Sequence, residues 1–600
     1  MLSGRSPDKQ GRRLAGADHT PLRFGTIGAM GAQSVLILLL GAVGVIVAVN
    51  WVSERIGLPS AALLTLVGIG YALLPGPKIA LHPDVVMTWI LPPLLFNAAL
   101  ESSLVGIRRN LRTVISLSVV LVLVTAASVG VVFGLLVSGA TVAAGIAMGA
   151  AVAPTDPVAA LAVARRVGLP LNIATLIEGE GLLNDATALT TFSVAVAVAS
   201  GAGFSVPSVI GEFVLAAAGG LAVGLALALC RRVLRRVTHD VLTANAVSLA
   251  TPFVAYLAAE ALHASGVLAV VVCGLIVGHD SPRWESSANR LQTRAVWQLA
   301  NFLLEGLVFL LIGEQFPGIV DDLGGYELST IIVAVVVTVA TVLLVRPLWL
   351  SLTQLLPRQL HTRLGSVSDG ATTTNDGVGP PRRSSERLSS REVFVLSWAG
   401  ARGVVSLAAI FAVPFATDSG APFPDRDLLL FCVFAVVLVT LVGQGSTFGP
   451  VVRALGLRAD AVDELRLRNR ARAAAVQAAL DRLEELRQHG GDDGGGGVDG
   501  VDGVDVTAIE SVRELLSARL ERYRRRLDLL SDVDEVPTAS RYEAVVAIRR
   551  AAIDAQRDEL LRWRDAGMLP DRSLRAIQRE LDHEEGTLPM GVPATHRPGR

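Results

Sequence analysis

The chain has few of the residues on which most catalytic and metal sites of soluble proteins depend. Its 600 residues include three cysteines and nine histidines. The cysteines lie inside apolar runs without ligand-like spacing, and the histidines form no cluster, which argues against a disulfide framework and a zinc site. A phosphate-binding glycine loop and a nucleophile elbow are also missing, so an enzyme has little support, and no cofactor is expected.

Lysine is nearly absent as well, since Lys9 and Lys78 are the only two. Arginine therefore carries almost all of the positive charge, and the formal net charge is −1. With the high alanine and glycine content, this usage is typical of a GC-rich bacterial genome. No nucleic-acid partner is expected.

Long apolar runs dominate what is present. Hydrophobic residues make up 51% of the chain, the mean hydropathy is +0.52, and runs of about 20 residues recur from Gly31 to Thr447. This pattern predicts an all-α polytopic membrane protein with about thirteen transmembrane helices. The predicted spans are 31–52, 58–74, 84–101, 113–137, 140–166, 173–200, 205–230, 242–262, 266–278, 295–313, 328–355, 392–415 and 427–447.

Arginines concentrate in alternate connections between the predicted spans, and the intervening connections are nearly free of basic residues. The positive-inside rule therefore places the arginine-bearing loops and the C-terminal tail in the cytoplasm. An odd number of spans puts the basic N-terminal stretch outside, so either the first span is miscounted or that stretch is tolerated. The marker residues are Arg108, Arg109, Arg112, Arg165, Arg166, Arg231, Arg232, Arg235, Arg236, Arg283, Arg290 and Arg294.

Composition divides the chain into four predicted parts. Residues 1–30 are expected to be a disordered N-terminal segment, and 31–450 the transmembrane domain, with a disordered cytoplasmic loop at 364–391 that is rich in Ser, Thr, Gly and Pro. Residues 457–600 are expected to form a soluble, helical cytoplasmic tail, with helical stretches at 460–489, 507–530 and 540–583 and many opposite charges at i,i+4. The tail is either a hairpin or coiled-coil module for dimer contacts or regulation, or a solvated charged tail.

Two short segments place carboxylates inside apolar stretches long enough to cross a bilayer, at Ala153–Pro157 and Glu178–Asp185. A charge at that depth costs roughly 2.5 to 3.5 kcal/mol on insertion scales, so such residues are rarely retained without a function. Prolines on both sides of Thr155 and Asp156 remove backbone hydrogen bonds and predict a broken helix. Membranes tolerate such a break only where protein or a water-filled cavity covers it.

The second segment presents two faces of one helix. Gly181 and Asp185 are four residues apart and share one face, whereas Glu180 and Asn184 share the adjacent face. We expect the first pair to line a cavity that admits an ion and water, and the second pair to meet structural partners. A carboxylate buried there is stable only when a proton or a cation neutralises it.

Two arginines are the candidate partners of these acids. Arg346 is alone in the apolar run Thr341–Trp349, and that position favours a buried pair with Glu180 over an arginine that snorkels at a span end. Arg402 lies among small residues that let another helix or an unwound backbone approach closely. Its alternative interpretation is an interfacial arginine at the start of a span.

These segments resemble the bacterial sodium/proton antiporters of the monovalent cation:proton antiporter-1 family, which is related to NhaP-type and eukaryotic NHE-like exchangers. The resemblance covers about 31–447, and its most discriminating piece is the pair Asn184 and Asp185. The matching pieces, in the family's order, are Leu91–Phe96, Pro154–Pro157, Glu180–Asp185, Ser265–Ala269, the Arg346 run and Gly400–Gly403.

The resemblance implies an inverted-repeat bundle with a dimerisation domain and a core domain of crossed, unwound helices, which works by elevator-like alternating access. It implies that Asp185 binds either the cation or a proton, and that Asp156 and the Thr155 backbone help to coordinate Na⁺. The Asn-Asp pair marks the electroneutral branch, with one Na⁺ exchanged for one H⁺. The expected protein is a homodimer in the bacterial inner membrane that serves pH and sodium homeostasis.

The resemblance also assigns supporting roles. It implies that Asn184 bonds to Asp156 and that Glu180 pairs with Arg346, while Arg402 belongs to the small-residue motif. Two positions depart from the family. Gly181 replaces a serine whose hydroxyl is an expected cation ligand, which leaves the choice among Na⁺, Li⁺ and K⁺ open, and Asn97 stands where many bacterial relatives carry an acid.

Three alternatives stay open at this point: a potassium/proton antiporter, a cation channel, and a transport-dead membrane sensor that signals through its tail. Channels usually show repeated filter loops of backbone carbonyls, and the sequence has no such repeat. His239 and His279, in cytoplasmic loops, are candidates for pH sensing, although surface histidines without such a role are far commoner.

Overall fold

The structure is a computed structural model that describes residues 32–75, 85–137, 139–157, 160–161, 164, 168–201, 206–235, 240–285, 287–355, 388–417, 419–457, 461–489 and 506–531, with a few more between 552 and 581. The predicted disordered segment 1–30 and residues 364–387 of the predicted loop lie outside these ranges, as does most of the predicted tail helix at 540–583. The chain folds as two compact units, Met1–Arg458 and Ala459–Arg600.

The described residues of the first unit form helices joined by turns and loops, and their only β-type pairing is one isolated bridge between Ala416 and Pro422. Its helices are α1 (Ala32–Ile56), α2 (Ser60–Ala72), α3 (Leu91–Glu101), α4 (Leu104–Arg109), α5 (Leu111–Ile115), α6 (Leu121–Leu136), α7 (Val142–Val152), α8 (Leu171–Ala199), α9 (Val206–Leu234), α10 (Val241–Glu260), α11 (Gly266–Trp284), α12 (Ser287–Glu314), α13 (Phe316–Asp321), α14 (Leu328–Leu355), α15 (Ser390–Trp398), α16 (Val404–Phe411), α17 (Arg426–Leu438) and α18 (Gly445–Ala454). Stretches of π-helix join or extend several of them, at Val86–Ile90, Ser116–Val120 and Val439–Gln444.

The all-α polytopic architecture is confirmed. Nine helical segments of the described chain are long and apolar enough to cross a membrane, and Ser60–Ala72, Val86–Glu101 and Val142–Val152 are shorter apolar helices. Every predicted span falls on one or more of these helices or on the pair α15 and α16, while the count of thirteen crossings stays a prediction. The span predicted at 266–278 is too short, because the helix continues through polar residues to Trp284.

Local sequence signals set several helix ends. Side chains of Thr141, Asp240 and Ser265 accept a hydrogen bond from the backbone N–H three residues later, which satisfies a donor that the first turn leaves without an intrahelical partner. The bonds from Thr243 also lower the pKa of the Asp240 carboxyl. Ser389 and Glu392 form a complete capping box at the start of α15.

Glycines bring particular helix pairs into close contact. A Cβ on Gly149 of α7 would lie 2.6 Å from the Ala126 carbonyl oxygen of α6. A Cβ on Gly313 of α12 would lie 2.8 Å from the Ile69 backbone nitrogen of α2. Small residues are the usual means by which membrane helices pack backbone to backbone. Helices α6 and α7 therefore form one closely packed pair, and α2 and α12 form another.

The second unit contains two long helices, α19 (Ala461–His489) and α20 (Val506–Ser531), which pack against each other. Ile509 and Leu520 are buried, and the Arg472 guanidinium lies 6.0 Å from the centre of the Tyr523 ring. These helices coincide with two of the helical stretches expected from the charge pattern. The cytoplasmic placement of the tail, its solubility and the domain boundaries stay predictions.

Candidate ion site

Two interrupted helices meet in the middle of the first unit. Residues 153–156, which follow α7, are not helical, and neither are residues 399–403 between α15 and α16. The backbone nitrogen of Asp156 donates to the carbonyl oxygen of Ala401 at 2.7 Å. The prolines around Thr155 and Asp156 and the small residues before α16 therefore produce two breaks whose backbones hydrogen-bond to each other.

Gly403 allows this approach. A Cβ at position 403 would lie 2.8 Å from the carboxyl carbon of Asp156, a distance that no side chain tolerates. The glycine thus leaves room for the Asp156 carboxylate at the crossing.

Arg402 lies next to the crossing of the two helix breaks and is 2% exposed. Its Nε donates to the Val152 carbonyl oxygen at 3.0 Å, and its Nη1 donates to the Gly400 carbonyl. Carbonyls at helix C-termini lack intrahelical partners and carry partial negative charge, which an arginine compensates. The interfacial alternative for Arg402 is wrong, because the side chain is buried against the end of α7 and the break after α15.

Glu180 and Arg346 form a buried ion pair in which each side chain is 3% exposed. Arg346 Nη2 donates to Glu180 Oε2 at 2.8 Å, and Nη1 donates to Oε1, so the contact is bidentate. Arg346 Nε also donates to the Leu396 carbonyl oxygen at 2.9 Å. The side chain of Arg346 is therefore buried in an ion pair, and the snorkelling alternative is wrong. The pair joins α8, α14 and α15 through charge-assisted hydrogen bonds.

Thr155 links this ion pair to the helix break. Its hydroxyl donates to Glu180 Oε1 at 2.9 Å. Asn184 Nδ2 in turn donates to the Thr155 carbonyl oxygen at 3.1 Å and lies 3.2 Å from its hydroxyl oxygen. The bond from Asn184 to Asp156 that the resemblance implies stays a prediction.

Asp185 is 5% exposed and follows Asn184, whose side chain hydrogen-bonds to Thr155, the residue before Asp156. Close by, the Oδ1 atom of Asn184 is buried and has no hydrogen-bond partner. A buried oxygen of this kind is rare in proteins and is available to a ligand. The described residues contain no group of three His, Cys, Asp or Glu side chains that would hold a metal ion. A cation here would therefore combine at most two carboxylates with neutral oxygens, which suits a hard monovalent ion that is bound and released.

Gly181 does not border an open gap, and the expectation that it lines a cavity with Asp185 is wrong. A Cβ at position 181 would lie 2.6 Å from Cγ and 2.7 Å from Cδ of Pro157. Helical spacing placed Gly181 and Asp185 on one face of α8, but Pro157, which follows the break after α7, packs against Gly181 there. Gly181 is thus a packing residue between α8 and the break.

This contact makes a prediction for Gly181→Ala. The proline ring is rigid and cannot yield, so the added methyl should destabilise the protein by about 1 to 3 kcal/mol. Gly211→Ala is the matched control, because Gly211 lies within α9 and a Cβ there meets nothing within 4 Å. That variant should gain about 0.5 to 1 kcal/mol from helix propensity. Thermal unfolding of both proteins in detergent tests the prediction, and equal behaviour of the two would contradict it.

The sequence interpretation did not single out Glu305, a half-buried acid of α12. Its signal was present as a lone acid in the predicted span 295–313, but no motif surrounds it. Of the other residues considered, Asn97 is half-buried on α3, His279 is exposed near the end of α11, and His239 lies outside the described residues.

The chain is similar to known ion exchangers in sequence and in fold. The sequence model described as sodium/hydrogen exchanger, transmembrane, matches residues 39–454. An uncharacterised Na⁺/H⁺ exchanger of Mycobacterium tuberculosis is 33% identical over 93% of this chain and 97% of its own length. A sodium, potassium, lithium and rubidium/H⁺ antiporter of Bacillus subtilis is 31% identical over 64% of this chain and 56% of its own. The sodium proton antiporter MjNhaP1 of Methanocaldococcus jannaschii shares the fold, with a TM-score of 0.53 at 20% identity over 70% of this chain and 99% of that one.

Proposed function

The chain belongs to the sodium/hydrogen exchanger family of transporters, and we propose that it exchanges Na⁺ for protons across the inner membrane of a bacterial cell. The observation that supports this proposal is a buried Asp185 whose neighbour Asn184 hydrogen-bonds to Thr155, next to Asp156 at the crossing of two broken helices. Neither the family match nor the named relatives favour the channel or sensor alternative.

Exchange follows from competition for one carboxylate. In a membrane interior, a bare negative charge is strongly disfavoured, so Asp185 is stable when it holds a proton or a cation. Each occupant neutralises the group, and neither binds while the other is there. A carrier that moves only in a neutralised state therefore couples the two fluxes and suppresses leak. One carboxylate that trades one Na⁺ for one H⁺ makes the exchange electroneutral.

The surrounding residues hold this carboxylate in place. Thr155 contacts both Glu180 and Asn184, so the Glu180–Arg346 pair positions the break that carries Asp156. The Thr155 carbonyl and Asn184 Oδ1 are neutral oxygens near the carboxylates and are proposed to complete the cation shell. Arg402 keeps the two helix ends together without entering the site.

Potassium is the second candidate substrate. A related chain from B. subtilis is named as an antiporter for sodium, potassium, lithium and rubidium. The proposed shell of two carboxylates and two neutral oxygens contains few fixed ligands, so the site would discriminate weakly among monovalent ions. The proposed assembly is a homodimer with cytoplasmic tails.

Purified protein in liposomes that hold a pH gradient tests the proposal. A pH-sensitive dye is followed while Na⁺, Li⁺, K⁺ or choline is added, with the membrane potential clamped at two values. We expect Na⁺ to dissipate the gradient at the same rate at both potentials, and choline to have no effect. Flux that follows the potential without proton movement would overturn the antiporter in favour of a channel, and a response to K⁺ alone would change the substrate.

A further inference from the structure

The two long helices of the tail, α19 and α20, pack side by side in opposite directions. Arg524 Nη2 of α20 donates to Gln477 Oε1 of α19 at 3.3 Å. Further along α19, Glu484 lines one surface cavity together with Glu514, which comes earlier in α20. The start of α19 therefore lies beside the end of α20, and the end of α19 lies beside the start of α20.

Charge is divided unequally between the two ends of this hairpin. The basic end, residues 461–477 and 519–531, contains nine arginines and four acids, whereas the acidic end, residues 478–489 and 506–518, contains three arginines and five acids. Eight of the nine arginines of the basic end are exposed. One end of the hairpin thus presents a dense positive surface. The nine are Arg466, Arg468, Arg470, Arg472, Arg519, Arg522, Arg524, Arg525 and Arg526.

The composition of the basic end suits a negatively charged surface. Arg468 and Arg472 are four residues apart on α19, as are Arg522 and Arg526 on α20, and like charges at that spacing destabilise a helix. A surface of opposite charge relieves this repulsion. Leu467, which is 63% exposed, lies among these arginines. Basic side chains around an exposed apolar one are typical of helices that bind at a bilayer interface.

The position of the basic end in the chain favours the membrane as its partner. Only residues 455–460 separate α19 from α18, which ends the candidate membrane span Arg426–Ala454. A second copy of the chain fits less well, because two chains in one membrane share an orientation, and the basic end of one would meet the basic end of the other. Anionic phospholipids give the cytoplasmic face of a membrane the opposite charge.

We propose that the basic end of the tail binds the anionic phospholipid headgroups of the membrane in which the chain is embedded. This inference goes beyond ion exchange and rests on the proposed cytoplasmic placement of the tail. Guanidinium groups form bidentate hydrogen bonds with phosphate oxygens. Each arginine near an anionic surface strengthens binding about fivefold, and salt weakens the attraction.

The accessibility of a spin label in the full-length protein tests the proposal. A nitroxide is attached at Leu467→Cys in a Cys230→Ser background, because Cys230 is exposed. The protein is reconstituted in nanodiscs of phosphatidylcholine or of an equal mixture with phosphatidylglycerol. We expect collisions of the label with a water-soluble nickel complex to fall about three- to tenfold in the anionic discs alone. High salt should abolish this protection.

Leu515→Cys provides the matched label position. Leu515 is also 63% exposed but lies in the acidic end, so its label should collide with the nickel complex equally in both lipids. Protection at both positions would indicate a general effect of the lipid on the tail and would overturn the proposal.

Two triple variants separate charge from structure. Arg466→Gln/Arg468→Gln/Arg470→Gln should lower the docking equilibrium about a hundredfold, so the label at position 467 should become accessible in anionic discs. Arg466→Lys/Arg468→Lys/Arg470→Lys keeps the charge and should keep the protection. A merely structural role for these arginines would not be restored by lysine in this way.

Arg482→Gln/Arg487→Gln/Arg513→Gln removes three arginines from the acidic end and should leave the protection at position 467 unchanged. Equal accessibility of that label in both lipids, or an equal loss of protection in this control, would overturn the proposal. Protection that is independent of lipid and arises only in discs with two copies would assign the surface to a second copy instead. No ion flux is measured, so the result is independent of the proposed exchange.

Discussion

Asp185→Asn should reduce cation/proton exchange to the rate of protein-free liposomes. An amide has nearly the same shape as the carboxyl group but neither takes up a proton at physiological pH nor offsets the charge of a cation. Because Asp185 is 5% exposed, no solvent replaces the lost charge. The measurement is the dissipation of a pH gradient by Na⁺, with equal amounts of folded protein confirmed by size-exclusion chromatography.

Asp321→Asn is the matched control for this variant. Asp321 ends the short helix α13 and is exposed, so the same substitution should leave the rate unchanged. Exchange by Asp185→Asn at the wild-type rate would remove Asp185 from the mechanism. A loss of rate in both variants would instead indicate a general sensitivity to the substitution.

Glu180→Gln and Arg346→Met should each destabilise the protein by about 3 to 5 kcal/mol, because each leaves one buried charge without its partner. Both side chains are 3% exposed, and the pair is bidentate. The double variant removes both charges and should be destabilised by less than the sum of the two single changes. Thermal unfolding of the four proteins in detergent provides the comparison.

The exposed pair Arg525 and Glu521 in the tail is the control for this cycle. It has the same charges but lies at the surface, so its single variants should change stability by no more than about 1 kcal/mol. Strictly additive losses for Glu180 and Arg346 would show that the two residues do not act as a pair. The proposed link from Arg346 through Glu180 to Thr155 would then be wrong.

The sequence predicted those parts of the site that leave a local or compositional signal. Prolines around Thr155 and Asp156 marked one helix break, and small residues around Arg402 marked the approach of another backbone. Few positively charged side chains lie inside the predicted spans, so Arg346 could be identified as the partner of Glu180. Alternating arginine-rich loops and apolar runs were sufficient for the helical architecture.

Other parts depend on neighbours that spacing does not reveal. Arg402 binds the carbonyls of Val152 and Gly400, and main-chain acceptors have no sequence signature. Helical periodicity placed Gly181 on the face of Asp185 but could not show that Pro157 packs there.

The ends of the helices could not be predicted accurately from the sequence either. Apolar runs define the membrane portion of a helix, whereas hydrogen bonding continues into polar sequence. For this reason α11 extends to Trp284, beyond the predicted end at 278. The predicted span 295–313 likewise forms part of the longer helix α12, which begins at Ser287.

In the proposed mechanism, Na⁺ and a proton compete for the carboxylate of Asp185. The most direct measurement is the release of protons when Na⁺ is added to purified protein in a weakly buffered detergent solution. We expect the wild-type protein to release up to one proton per chain with Na⁺ but not with choline, and Asp185→Asn to release none. Sodium binding without proton release, or equal release by the two proteins, would contradict this mechanism.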